Sequence, residues 1–311
     1  MPAPIIGETS TYKIAHSLRE LWNLTQNLPA SLQDVDGGVT TLQGLVAALA
    51  SDVSDLEGEV AALSAAIGLP PGFFSIRVAQ AGDTDHDVTF SPGRARDSTD
   101  TADIALASAI TKQIDAAWAV GSNAGGLDTG SVGNNSIYYL WIIKRSDTGV
   151  VDALFSLSAT APTMPANYDL KQRVGWVRTN ASANILAFVQ APYDITDIRY
   201  VTTLFDVNVT NQSTTSVSRT LSLPPNSLAL FRMVADHATF AEVIARPLFE
   251  TNAEPAADVV PGVSLMALGD FASAEFEVPL DNSAQLATRS SASSTTVRIW
   301  TKGAKLLGVT P

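Results

Sequence analysis

Three aspartates alternate around a histidine in Asp83-Thr84-Asp85-His86-Asp87. Alternating carboxylates in a turn can supply oxygen ligands to a hard cation such as Ca²⁺. A calcium loop also needs a glycine at its sharp bend and a closing glutamate. Val88 stands where that glycine is expected, and no glutamate closes the loop. The stretch therefore reads as a solvated acidic turn. Asp83, Asp85 and Asp87 are the residues that would hold a metal if it took one.

Other constellations are weaker still. The glycine-rich stretch Gly121–Asn135 invites comparison with a phosphate cradle, but it contains no lysine, and a helix is expected before it and a strand after it. It reads as a flexible connector. The histidines His16, His86 and His237 sit in neither a nucleophile elbow nor a metal-pair spacing. Paired acids could cleave a glycan, but the acidic residues are scattered. Tyr138, Tyr139, Trp141 and Trp176 lie on strand-like runs and are expected in the core, whereas Trp300 and Tyr193 are better placed for exposed contacts. No catalytic residue, metal or cofactor is assigned, and the chain reads as a non-enzyme.

The element that would position everything else is a long apolar seam. Leu32, Val35, Val39, Leu42, Val46, Leu49, Val53, Leu56, Val60, Leu63 and Ile67 alternate at steps of three and four. A repeat of about 3.5 residues is what helices need to supercoil around one another. The expectation is a coiled-coil stalk that joins copies of the chain, with a parallel homotrimer favoured by the wide seam. An intramolecular helical hairpin bent at Gly37-Gly38 is the alternative. No Lys or Arg occurs between Arg19 and Arg77, so opposite-charge pairs cannot choose the partner. Pro70-Pro71 ends the helix.

After the stalk, Asp103–Val120 places Ile104, Ala107, Ile110, Ile114 and Ala117 at helical spacing. Ile137–Lys144 is apolar on both faces, as a central strand would be. Val150–Leu157, Gln172–Arg178 and Asn184–Gln190 read as further strands. After Pro192 only short strand-like runs remain, separated by turns such as Pro224-Pro225-Asn226. The expected fold is multidomain: a coiled-coil stalk, a small α+β domain and a C-terminal all-β, jelly-roll-like sandwich. The expected boundaries are 1–31 for an attachment leader with a short helix, 32–71 for the stalk, 72–192 for the α+β domain and 193–311 for the sandwich.

The net charge is −12, with 19 basic against 31 acidic residues. That argues against nucleic-acid and anionic-lipid partners. There is no cysteine, so disulfide and thiolate chemistry are excluded. No signal-like leader or transmembrane run is visible, which points to assembly in the cytoplasm.

Residues 91–192 carry a resemblance. Ser91-Pro92-Gly93-Arg94-Ala95-Arg96-Asp97-Ser98 opens it, followed by Leu106–Lys112, Asp115–Gly121, Gly126–Gly130, Arg145–Ser156, Pro162–Pro165 and Gly175. The pattern resembles a module of tail-fibre and related virion proteins of tailed bacteriophages and prophages. The run Arg289–Lys302 is similar to the end of such proteins. The resemblance covers roughly half the chain and brings no catalytic motif. It implies a homotrimeric virion appendage, a tail or head fibre. Residues 1–31 would meet other virion proteins, and β-rich domains would face a host-surface glycan or protein. A glycan-degrading spike and an architectural decoration protein are the alternatives.

Overall fold

The computed structural model describes residues 15–23, 35–67, 73–192, 194–250 and 263–307. The chain divides into two compact units, Met1–Gly68 and Leu69–Pro311.

Among the described residues, helix is confined to the first unit. It comprises α1, residues 15–23, and α2, Val35–Ile67. Neither is long and apolar enough to cross a membrane. The two helices touch: Ser17 Oγ donates to Asp52 Oδ2 at 2.7 Å. On α2 the half-buried side chains are Leu42, Leu45, Leu49, Asp52 and Leu56, one face at steps of three and four. Val46 and Val53 remain 61% and 46% exposed. The expected coiled-coil stalk is therefore corrected. The chain is built mostly of strands, and α1 of the same chain lies against the helix that carries the seam. An apolar stripe specifies an apolar neighbour; it does not specify that the neighbour belongs to another copy. Leu32 and most of the 1–31 leader lie outside the described residues, as do the side chains of Val35, Val39, Val60, Leu63 and Ile67.

The second unit opens with a seven-stranded sheet. Its order is β1 (Val78–Gln80), β2 (Asp87–Phe90), β5 (Ile110–Ala117), β6 (Ala124–Leu127), β8 (Val151–Ser156), β7 (Ile137–Lys144) and β9 (Leu170–Arg178). A small ribbon, β3 (Gly93–Arg96) with β4 (Asp103–Leu106), lies beside it. This corrects the α+β domain, because the expected helix over Asp103–Val120 is instead β4 and β5. Alternation governs both strands: Ile104 and Leu106 point inward from β4, Lys112 and Ile114 from β5. Because one inward position is a lysine, the period of two is hidden in the sequence and the apolar residues that remain mimic a helical spacing. The glycine-rich stretch is likewise not a plain connector. It contributes β6, which runs parallel to β5 and β8. Gly125 permits this, since a Cβ there would lie 2.0 Å from the Ala117 carbonyl oxygen.

The remaining strands form two facing sheets. They are β11 (Asp197–Gln212), β12 (Val217–Thr220), β13 (Ser227–Asp236), β14 (Phe240–Pro247), β15 (Val263–Leu268), β16 (Phe271–Pro279), β17 (Gln285–Ser290) and β18 (Thr295–Leu306). One sheet runs β11-β18-β13-β16, extended at its β11 edge by β10 (Phe188–Gln190), and the other runs β12-β17-β14-β15. That is the strand order of a jelly roll. The inner faces carry Phe231, Met233, Val243, Ala245, Leu286, Val297 and Ile299, all buried. The core continues into the first sheet. Trp176 packs edge-on against Tyr200 at 5.6 Å, and Gln190 Oε1 accepts from the Val78 amide at 2.9 Å.

Candidate functional site

Lys112, Asp152 and Asp97 are occupied with holding the fold. Lys112 is fully buried on β5 and faces Asp152, buried on β8, at 3.2 Å. Its ammonium also donates to the carbonyls of Ala119 at 2.5 Å and Gly121 at 3.1 Å. Two hydrogen bonds and one ion pair thus hold the ammonium. The Asp152 carboxylate accepts in turn from the amides of Gly121 and Ala153, both at 2.7 Å. The Trp118 ring lies 5.3 Å from the ammonium, and its Nε1 donates to the Ala153 carbonyl at 3.1 Å. Burial pulls the Lys112 pKa below that of an ordinary lysine, and Asp152 partly offsets this. The network pins the turn that leads into β6.

Asp97 closes the turn between β3 and β4. Its buried carboxylate accepts from the amides of Thr99, Thr101 and Ala102 and from the hydroxyls of Thr99 and Thr101. Burial alone would raise this carboxyl; the hydrogen bonds outweigh it and hold the pKa at about 2.

Asp83, Asp85 and Asp87 do not converge. Asp83 accepts from the Asp85 amide at 3.0 Å and lies 2.9 Å from His86 Nδ1, while Asp85 accepts from Asn184 Nδ2 at 3.1 Å. The hydrogen bond to Asp83 raises the His86 pKa. Burial raises that of Asp87. Among the described residues, no three His, Cys, Asp or Glu side chains gather as a metal site. His16 lies 3.8 Å from Glu20 on α1, and His237 Nε2 lies 3.2 Å from the Ser293 carbonyl, while its Nδ1 accepts from the Thr239 amide at 3.2 Å and lies 3.4 Å from the Thr239 hydroxyl. Tyr138, Tyr139, Trp141 and Trp176 are buried. Tyr193 lies outside the described residues.

Trp300 is different. On β18, Val297, Ile299 and Thr301 are buried, whereas Arg298, Trp300 and Lys302 point to the outer face of the jelly-roll sheet. Trp300 pairs with Phe205 of β11 on one side and with Arg232 of β13 on the other, and Arg232 pairs with Glu275 of β16. Four strands thus set one row across the sheet. The Phe205 and Trp300 rings stack at 4.7 Å and 21°, and Phe205 is 50% exposed. A stacked pair with Phe205 exposed and Trp300 half-buried, held on paired strands, offers a contact surface.

Beside the rings lies a shallow cavity of about 180 Å³, lined by Arg199, Leu230, Glu275, Glu277 and Lys302, among others. Its charges are mostly paired. Lys302 meets Glu275 at 2.7 Å, Lys305 meets Glu277 at 3.1 Å, and Arg199 meets Asp197 at 2.6 Å. The Lys302 ammonium holds the Glu275 carboxyl below the usual glutamate range. Arg232 donates to Ser273 Oγ at 2.9 Å. Arg232 also lies opposite Glu275 and adds to the lowering of that carboxyl.

Sequence reasoning singled out Trp300 but missed the row around it. The alternation Arg298-Trp300-Lys302 was a usable signal. Its partners come from three other strands, and only the tertiary register brings them together.

Compared with known proteins, the chain matches no family model and no curated protein.

Proposed function

We propose that this chain is a non-enzymatic structural protein of a bacteriophage virion appendage, a tail or head fibre, that presents the outer face of β11-β18-β13-β16 to a host surface. The resemblance of residues 91–192 and Arg289–Lys302 supplies the setting. The observation that carries the binding role is the Phe205–Trp300 stack, in which Phe205 is exposed and Trp300 half-buried. An aromatic pair fixed by four paired strands can bind without first paying to order a loop.

The glycan-degrading alternative has less support on this face. A glycosidase needs one carboxyl with a raised pKa as its acid. Glu275 is shifted the other way by Lys302. Glu277 is engaged by Lys305.

Host binding is tested with the labelled full-length chain on cells of the host bacterium. The double variant Phe205→Ala/Trp300→Ala is expected to bind at least about tenfold more weakly, and equal binding refutes the role of this face.

The same reading has copies joining as a homotrimer, and Val46 and Val53, exposed on α2, are tested as contacts between copies. Val46, Ala50 and Val53, exposed at helical spacing, leave apolar area that a second copy would cover. The trimer is expected by native mass spectrometry, and Val46→Asp/Val53→Asp is expected to lower the mass to one chain. A monomeric wild-type chain refutes this part.

A further inference from the structure

We infer that Lys112 and Asp152 join covalently: the Lys112 Nζ forms an amide with the Asp152 side-chain carboxyl, and one water leaves. The bond would tie β5 to β8 across β6, in a chain that has no cysteine for a disulfide.

The placement of the two groups carries the inference. In the sheet β6 lies between β5 and β8, so the Lys112 side chain passes over β6 to reach its partner. Gly126 of β6 leaves that path open. A Cβ there would lie 2.9 Å from the Lys112 Cβ and 2.8 Å from the Phe155 ring. Nζ then stands 3.2 Å from Asp152 Oδ1, with the two side chains 0% and 1% exposed. The Trp118 ring walls the site at 5.3 Å from Nζ, and Tyr168 packs edge-on against that ring. Two reacting groups held this close behave as if each were present at very high concentration. The same burial keeps water from hydrolysing the product.

The surroundings suit an acyl transfer. Nζ donates to the carbonyls of Ala119 at 2.5 Å and Gly121 at 3.1 Å, which leaves its third position facing the carboxyl. Burial favours the neutral lysine, the form a nucleophile needs. The ammonium first passes a proton to the carboxylate. The amine then attacks Cγ. The amides of Gly121 and Ala153, each 2.7 Å from a carboxyl oxygen, hold the charge that builds up on oxygen in the tetrahedral adduct. The nitrogen gives a second proton to the departing hydroxyl. The C–N bond forms, the C–O bond breaks and water leaves, with no change of oxidation state. A neutral amide replaces two charges held out of water, and that relief drives the step.

The test is mass spectrometry of the denatured full-length chain. The intact mass is expected to fall short of that of the sequence by one water. Trypsin cuts after a lysine only while its side chain is a free amine. Lys112 is therefore expected to stay uncut, and one branched peptide is expected to carry both Lys112 and Asp152. Lys112→Met and Asp152→Ala are each expected to recover the missing water. An intact mass without the loss overturns the inference and leaves the ion pair in its place. A loss that maps to an unbranched succinimide at an aspartate overturns it too, as does a branch between any other two residues. The branch is located on the parent chain, so the result does not depend on whether a variant folds. Lys112→Met strands the Asp152 carboxylate in the core whether the parent carries the ion pair or the bond.

Discussion

Replacing Lys112 by Met tests whether the residues that carry the resemblance hold the fold. Met keeps most of the side chain's length and apolar volume but removes the ammonium. Asp152, only 1% exposed, would then keep its two backbone donors and lose its counter-ion. The carbonyls of Ala119 and Gly121 would lose a donor as well. Breaking one half of a buried ion pair costs about 3–5 kcal/mol, because the other charge stays buried. In a unit of this size about 1 kcal/mol shifts the melting temperature by roughly 2–4 °C. The expected loss is therefore roughly 10 °C by calorimetry. The double variant Lys112→Met/Asp152→Leu removes both charges and is expected to recover part of that loss, since no lone charge remains. A drop of under about 1 kcal/mol in the single variant would refute the lock, and so would a double variant as costly as the sum of both singles.

Two further outcomes follow from the same structure. Asp97 titrates near 2 in the fold, below the ordinary aspartate value, so it stabilises the folded state above about pH 4 and loses that contribution as the pH falls towards 2. The contribution is roughly 2 kcal/mol; Asp97→Asn is expected to lose about this much at pH 7 and to flatten the acid limb of a stability-against-pH curve, and an unchanged limb counts against it. Gly303 sits where β11 and β18 approach so closely that a Cβ would lie 2.2 Å from the Ile198 carbonyl oxygen. Gly303→Ala is expected to cost about 3 kcal/mol in thermal unfolding and to weaken the Phe205–Trp300 face with it, and a neutral result would mean the two strands separate easily.

Local pattern made the strands with plain alternation or uniform apolarity legible. The apolar run Ile137–Lys144 is β7, and Val150–Leu157 contains β8. Around residues 103–120 local pattern misled, because the inward Lys112 broke the alternation and left apolar residues at helical steps. The fact that makes Lys112 tolerable inside, Asp152 forty positions later on another strand, is invisible to any local window. The α2 stripe misled in another way. Its period was real, but a period says nothing about which helix covers it, and Ser17 on α1 lies against Asp52. The exposed face was half legible. Alternation alone turns Arg298, Trp300 and Lys302 to one side of β18. Phe205, Arg232 and Glu275 join them only through pairing register, which a slip of one residue would reverse.

The same strand period explains how one segment can serve both the fold and a binding face. In Val297–Lys302, the inward Val297, Ile299 and Thr301 are buried. They answer to core packing, where a lost methylene is already costly. The outward Arg298, Trp300 and Lys302 answer only to whatever touches the sheet from outside, and surface positions of this kind tolerate replacement within about 0.5 kcal/mol. Ligand preference can therefore change on the outer face while the jelly roll stays intact. The buried locks of Lys112 and Asp97 have no such freedom, because every polar atom they use is matched inside the chain. A residue pattern shared across related proteins should on this logic concentrate in the locks, and the chemistry that selects a surface should lie on the outer face of β18 and its neighbours.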